Sequence, residues 1–271
     1  SNALYRRGSD INMNAFGISQ KAGENGAFGL SIMAVDFGDI TVTTTDQPEG
    51  TGATFSPSFF HIGAGYSHTF ENKVSVGILL RGISETMAEL TAFGFAIDAG
   101  VQYVSGPQDN FKFGISLRNV GSPMRFGGQG LSVPSTTPDG TGVQYQLTYD
   151  QRAASFELPS VLNIGASYDV NFGTNRLTFV GNFTANSFSQ DQIGAGLEYS
   201  LNDLFQIRGG YKYEFGSEDE ITAPLYTGVS AGISLNIPIS KENPNKLGID
   251  YAYRQTRLLD GTHNIGVRIA L

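Results

Sequence analysis

From Phe205 to Phe215 every second residue (Phe205, Ile207, Gly209, Tyr211, Tyr213, Phe215) keeps one face apolar, while Gln206, Arg208, Gly210, Lys212 and Glu214 make the other polar. Successive side chains of a strand point to opposite faces, so the pattern predicts a strand with one apolar side. It recurs about a dozen times along the chain. Thr91 to Tyr103 sets Phe93, Phe95, Ile97, Val101 and Tyr103 against Gly94, Ala96, Asp98, Gly100 and Gln102. Leu247 to Arg254 sets Leu247, Ile249, Tyr251 and Tyr253 against Gly248, Asp250, Ala252 and Arg254. About ten residues is also the length with which a tilted strand crosses a bilayer.

Strands are expected at 11–20, 27–44, 58–70, 74–83, 92–103, 111–119, 161–170, 176–186, 192–201, 204–215, 227–237, 247–254 and 264–271. The connections at 21–26, 71–73, 105–110, 171–175, 202–203 and 240–246 are tight and rich in Gly, Asn and Asp. Between them lie longer ones, at 45–57, 84–90, 120–160, 187–191, 216–225 and 255–263. Short turns at one end and long loops at the other are the habit of outer-membrane barrels, with turns periplasmic and loops extracellular. The C-terminus then falls on the periplasmic side, and the first strand runs inward, leaving Ser1 outside. Bacterial barrels of one chain have even strand numbers, so about thirteen strands predict an upstream one and about fourteen in all. A bend or bulge hidden in the long 27–44 segment is the other account.

The 271 residues fit a single barrel domain, 4–271, with no composition shift to mark a linker. Ser1, Asn2 and Ala3 read as the remnant of a cleaved expression tag and are set aside. No signal peptide precedes them, so the chain is expected to be mature or shortened at its start. There is no apolar run of transmembrane-helix length, and a mean hydropathy of -0.12 does not count against a barrel, whose lumen residues dilute the average. Zero cysteine removes disulfides and thiolate metal sites. A net charge of -8 offers no basic patch for nucleic acid. Much of the acidity falls in loops, as at Glu218, Asp219 and Glu220, read as a solvated tip.

The charged residues decide which face looks inward. Arg81, Asp98, Lys112, Arg118, Asp169, Glu198, Arg208, Lys212, Glu214, Asp250, Arg254 and Arg268 share the register of glycine and serine, such as Gly194, Gly196, Gly228, Ser230, Gly232 and Ser234. Small residues suit a concave, crowded wall, whereas the solvent face of a sandwich favours Thr, Lys and Glu. Turning the apolar face inward in a ring this large would enclose a dry void. The polar register is therefore assigned to the lumen and the apolar register to lipid, where a charge at mid-bilayer costs about 2–4 kcal/mol. Seven basic and five acidic residues on one wall can pair between neighbouring strands, which makes lumen scaffolding their expected role.

Catalytic constellations are not found. His61, His68 and His263 are scattered, with no paired-carboxylate spacing for a metal. There is no GxSxG elbow, Walker loop or HExxH motif, and the run Phe126-Gly127-Gly128-Gln129-Gly130 reads as a flexible loop. No enzyme activity and no cofactor are expected.

Several ordered segments resemble the PorV/PorQ family of outer-membrane barrels. They are Phe37-Gly38-Asp39-Ile40-Thr41-Val42-Thr43, Phe95 to Tyr103 with Ile115 to Gly121, and Leu158-Pro159-Ser160-Val161-Leu162-Asn163-Ile164-Gly165. Gly196-Leu197-Glu198-Tyr199, Ile207 to Tyr211, Asp250 to Tyr253 and Gly261 to Gly266 follow in order. The family is related in fold to FadL-type transporters with about fourteen strands and is typical of Bacteroidota. The resemblance implies a role in type IX secretion, meeting the C-terminal signal domains of exported cargo and the secretion-system subunits. The 120–160 connection would then be the docking surface. The family's N-terminal Asn-Pro-Ala stretch is absent, and Leu271 stands where outer-membrane barrels usually end in an aromatic. The competing expectations are a FadL-like channel for hydrophobic small molecules, marked by an N-terminal hatch or a lateral opening at a strand kink, and a barrel of purely structural role. In every case the bilayer and its lipopolysaccharide are the surroundings.

Overall fold

The protein is described here by a computed structural model covering residues 2–4, 11–71, 73–138, 144–216, 224–239, 245–257 and 261–270. Regular structure among them is strand except for a 3-10 turn at Gln129–Leu131. The wall strands are β1 (Asn2–Leu4), β2 (Asn12–Ala22), β3 (Gly26–Asp36), β4 (Ser58–Phe70), β5 (Val74–Met87), β6 (Leu90–Ser105) and β7 (Phe111–Gly121). They continue as β8 (Val161–Phe172), β9 (Asn175–Asn186), β10 (Gln192–Leu201), β11 (Phe205–Glu214), β12 (Tyr226–Pro238), β13 (Lys246–Thr256) and β14 (Thr262–Ala270). Sixteen strands join in the main sheet; setting aside Met124–Gly127 and Ser155–Phe156, which attach beside β6, leaves fourteen in the ring.

Each wall strand is antiparallel to the next, and the ring closes where Asn2 stands opposite both Asn14 of β2 and Ile265 of β14. All thirteen expected strands are present, and the fourteenth position is held for three residues by β1. Asn2 therefore lies within the wall, which corrects the expectation that the chain begins at the loop end. From Phe16 and Gly266 toward the turn end, no described strand stands between β2 and β14.

Alternation produces the barrel in the way the sequence requires. Phe95 is 63% exposed and Phe93 58%, whereas Ala92 and Ala96 on the other register are 1% exposed. The same outer register carries Phe16, Phe28, Ile62, Leu80, Ile193, Ile207, Ile249 and Val267, all exposed. An apolar belt of this extent is stable against acyl chains and costly against water. The strands are stitched by turns of matching hand: Asn202 and Asp203 join β10 to β11 with φ of 51° and 54°. Two left-handed residues twist a hairpin as its strands do, and Asn and Asp tolerate that conformation.

Three further expectations need correction. The connection 84–90 is not a long loop: β5 runs to Met87 and β6 begins at Leu90. The β-branched and alternating residues of that stretch continue the ladder to the Met87–Leu90 pair. The glycine-rich run is ordered, since Phe126 and Gly127 pair with Ala92 and Thr91 of β6 and Gln129 opens the 3-10 turn. Gly128, at φ 141°, brings its backbone so near Glu89 that a Cβ would lie 2.1 Å from the Glu89 carbonyl oxygen, which only glycine permits. The connection after β7 also builds its own hairpin, Ser132–Pro138 against Gln144–Asp150. The 27–44 segment ends as a strand at Asp36, and Ile40–Thr41 pairs separately with Thr54–Phe55. Glu218, Asp219 and Glu220 lie outside the described residues.

Candidate functional site

The polar register forms the inner wall, and its charges are organised in neighbouring pairs. Lys112 donates to Asp169 at 2.7 Å, and the other Asp169 oxygen accepts from Thr178 at 2.6 Å. Glu198 stands between Arg176 at 3.4 Å and Arg208 at 3.5 Å. Arg208 donates to Ser234 at 2.6 Å, Ser234 donates in turn to Asp250, and Arg268 lies 3.9 Å from that carboxylate. Lys212 donates to the side-chain oxygen of Gln192 at 2.7 Å, while the Gln192 amide donates to Glu214 at 2.7 Å. Arg254 lies over the Tyr226 ring, 3.9 Å from its centroid.

Glycine stands directly opposite four of these cations: Gly63 faces Arg81, Gly232 faces Arg208, Gly248 faces Arg268 and Gly194 faces Lys212. A Cβ at Gly63 or Gly232 would come 3.3 Å from the Cγ of its arginine. The glycines of the inner register thus leave room for long stems to lie along the wall, which is why that register is rich in small residues.

Arg81 and Asp98 sit deepest, at 9% and 13% side-chain exposure, with 2.8 Å between Nη2 and Oδ1. Arg81 also donates to the Asn119 side chain and approaches His61 Nδ1 at 3.5 Å. Asp98 Oδ1 accepts the backbone amide of Asn119 at 2.8 Å, and Arg118 Nε lies 3.9 Å from Oδ2. This carboxylate marks a bulge. The β6–β7 register moves from Ala99–Leu117 to Ile97–Val120, so Arg118 and Asn119 together oppose Asp98, and Asn119 takes φ 61°.

Above the bulge the wall is interrupted. Pairing of β7 with β8 stops at Arg118–Val161, and pairing resumes only at Met124–Phe156. Pro123 and Pro159 lie in that interval and have no amide hydrogen for a ladder. Across it the Asn119 side-chain amide donates to the Pro159 carbonyl oxygen at 2.7 Å.

Behind the interruption the inner wall is apolar. Ile83, Ala92, Ala96 and Met124 are buried, with Phe59, Phe126, Phe156 and Leu158 packed against them. Met124 fills the space left by Gly94, where a Cβ would be 2.5 Å from its Cγ, and Leu158 reaches to 3.0 Å from the Cβ position of Gly121. The uniformly polar lumen expected from the sequence is corrected here: at the loop end the inner register turns hydrophobic, because the connection after β7 supplies apolar partners for it. Toward the turn end a cavity of about 710 Å³ is lined by Ser67, Gln102, Lys112, Ser116, Asn163 and other small or polar residues.

The twelve charged positions named from the sequence all stand on the inner register of these strands. Sequence reasoning missed Arg176, which opens β9 directly after a turn, and Asn119, Met124 and Leu158. The run Asn119-Val120-Gly121-Ser122-Pro123 carried a bend signal for them. Of the histidines, His263 accepts or donates to Tyr251 at 2.8 Å and His68 lies against Tyr66 and Phe70. Among the described residues no group of three His, Asp or Glu side chains could hold a metal ion.

No family model and no curated protein matches this sequence. Solved structures do resemble it. The deltaS2S3 mutant of the TodX monoaromatic hydrocarbon channel aligns over 99% of this chain and 86% of its own, with 13% identity and a TM-score of 0.55. The deltaS2 mutant of the same channel aligns over 99% and 85%, with 12% identity and a TM-score of 0.54. A FadL homologue from Pseudomonas aeruginosa is more distant, with a TM-score of 0.48, 13% identity and coverage of 96% and 74%. Ring closure, strand count and these likenesses together establish an antiparallel transmembrane β-barrel with the fold of a hydrocarbon channel.

Proposed function

We propose that this protein is a FadL-like passage through the outer membrane for hydrophobic small molecules. The observation that carries the reading is the interrupted ladder between Arg118–Val161 and Met124–Phe156, backed by an apolar inner wall. An apolar solute gains nothing from a polar, water-filled lumen, whereas a hydrophobic surface beside an unpaired stretch of wall lies next to the phase in which it dissolves. The fold is that of a channel whose described cargo is monoaromatic hydrocarbon, which makes such a compound the first to try. The test is uptake of radiolabelled toluene and of a long-chain fatty acid by cells expressing the full-length protein. Uptake above that of cells expressing an unrelated closed barrel supports the reading. Equal uptake of both compounds overturns it.

A second reading rests on the hairpin Ser132–Pro138 with Gln144–Asp150, which exposes Val133, Leu147 and Tyr149 beyond the ring. Apolar residues on a loop hairpin suit a protein partner. With the PorV/PorQ resemblance, this reading makes the barrel an escort in type IX secretion that binds C-terminal signal domains of cargo. Binding of a purified signal domain, lost when residues 132–150 are replaced by a short glycine-serine turn, supports it; no binding to the intact barrel excludes it.

A further inference from the structure

The cations of the inner wall are matched to carboxylates through most of the ring: Arg81, Lys112, Arg118, Arg176, Arg208 and Arg268 each have an acidic partner. Matching fails at the loop end of β11, β12 and β13. Arg254 has the Tyr226 ring beneath it, Lys212 has the amide oxygen of Gln192, and among the described residues neither these nor Arg257 has a carboxylate at salt-bridge distance.

A structural break opens a cavity at this place. The β11–β12 ladder ends at Tyr211–Val229, and β12 then bulges, its register with β13 shifting between Tyr226 and Ser230. Gly228 takes φ 94° with its Cβ position 2.1 Å from the Lys212 carbonyl oxygen. The cavity between the parted strands measures about 660 Å³. Its lining draws on both registers: Lys212, Glu214, Arg254 and Arg257 on the charged side, Tyr211 and Val229 on the lipid-facing side. Three cations against one carboxylate leave it positive in a chain of net charge -8.

We propose that this cleft binds the anionic head group, carboxylate or phosphate, of an amphiphile whose tail leaves along Tyr211 and Val229 into the bilayer. An arginine held flat on a ring keeps its N–H edge for an oxyanion, and a neighbouring ammonium adds a point charge. The acyl chain meets the apolar belt, so one molecule satisfies both sides of the break. The site goes beyond passage of neutral hydrocarbons and is independent of it.

The experiment is calorimetric titration of the full-length barrel, in non-ionic detergent, with dodecanoate, dodecyl phosphate, dodecanol and inorganic phosphate. Saturable binding of the two anionic amphiphiles is expected, with dodecanol and inorganic phosphate weaker by about tenfold or more, the difference that charge-assisted hydrogen bonds and a buried tail make. Lys212→Gln with Arg254→Gln should weaken binding about tenfold or more, and Arg268→Gln, a cation already paired with Asp250, should not. Arg257→Gln, beyond the end of β13, is the second variant if the double variant does not fold. Equal binding of dodecanol, equal binding of inorganic phosphate, or binding unchanged in the variants would overturn the proposal. Native mass spectrometry from nanodiscs with phosphatidylglycerol separates the sources: lipid retained by the parent and lost from the variants makes the ligand a membrane lipid, and dodecanoate binding undiminished by that lipid makes it a free amphiphile. Titration involves no transport, so its failure and a failure of hydrocarbon uptake are separate results.

Discussion

Asp98 Oδ1 accepts both the backbone amide of Asn119 and the guanidinium of Arg81, each at 2.8 Å, so one oxygen ties the bulge of β7 to the deepest cation of the wall. Removing that carboxylate leaves Arg81 nearly buried and the bulge amide without its acceptor. Asp98→Ala is therefore expected to destabilise the barrel by about 3–5 kcal/mol, the cost of breaking a buried pair from one side. Asp98→Asn keeps an oxygen for the amide and should cost less. Urea unfolding in lipid vesicles, followed by tryptophan-free tyrosine fluorescence or gel mobility, reads both. Equal stability of Asp98→Ala and the parent would show that the bulge does not depend on this contact.

Leu158 closes the inner side of the interrupted ladder. Leu158→Ala should lower stability by about 2–3 kcal/mol, as truncation in an apolar cluster does. It should also raise the entry of toluene into cells, because the side chain that fills the interval is gone. A variant that loses stability with no change in entry would mean that the interval is merely a packing defect.

The assignment of faces has a direct test in adjacent residues. Ile207 is 51% exposed on the lipid-facing register, and Arg208 beside it points to Glu198 and Ser234. Ile207→Arg is expected to cost about 2–4 kcal/mol if the position lies near mid-bilayer. Arg208→Ile buries no charge in lipid and loses only its wall partners. Vesicle unfolding titrations compare the two, and an Ile207→Arg variant as stable as its parent would reverse the inside and outside of the ring.

Most of the wall was readable because a period of two survives wherever one face meets lipid and the other meets water. Phe93-Gly94-Phe95-Ala96-Ile97-Asp98 shows this without any partner strand in view. The same stretch concealed the apolar cluster, since Ala92, Gly94 and Ala96 are too small to signal whether water or Met124 covers them. Met124 and Phe126 lie on a strand of four residues, too short for periodicity to register, and their partners come from β6 and from Ser155–Phe156. Arg176 escaped notice because the turn Gly173-Thr174 precedes it so closely that its register could not be counted from the strand interior. The unpaired interval was invisible for a related reason: prolines at 123 and 159 announce two bends, but not that the bends face each other across the wall.

The pairing of glycine with cation leads to a prediction about volume rather than charge. Gly232 stands opposite Arg208, and a Cβ there would lie 3.3 Å from the arginine Cγ and 3.1 Å from the Tyr251 carbonyl oxygen. Gly232→Val should displace the Arg208 stem, separating its head from Ser234 and Glu198, at a cost of about 1–3 kcal/mol for overpacking. Arg208→Ala alone costs the lost hydrogen bonds but frees the same space. In the double variant the valine finds room, so the two costs should fall short of their sum by about 1 kcal/mol or more, the coupling expected of residues in contact. Urea unfolding of the four proteins completes the cycle. Strict additivity would mean that the inner glycines serve only the close approach of backbones, as between Gly196 and Gly210, and that the cations would find their places without them.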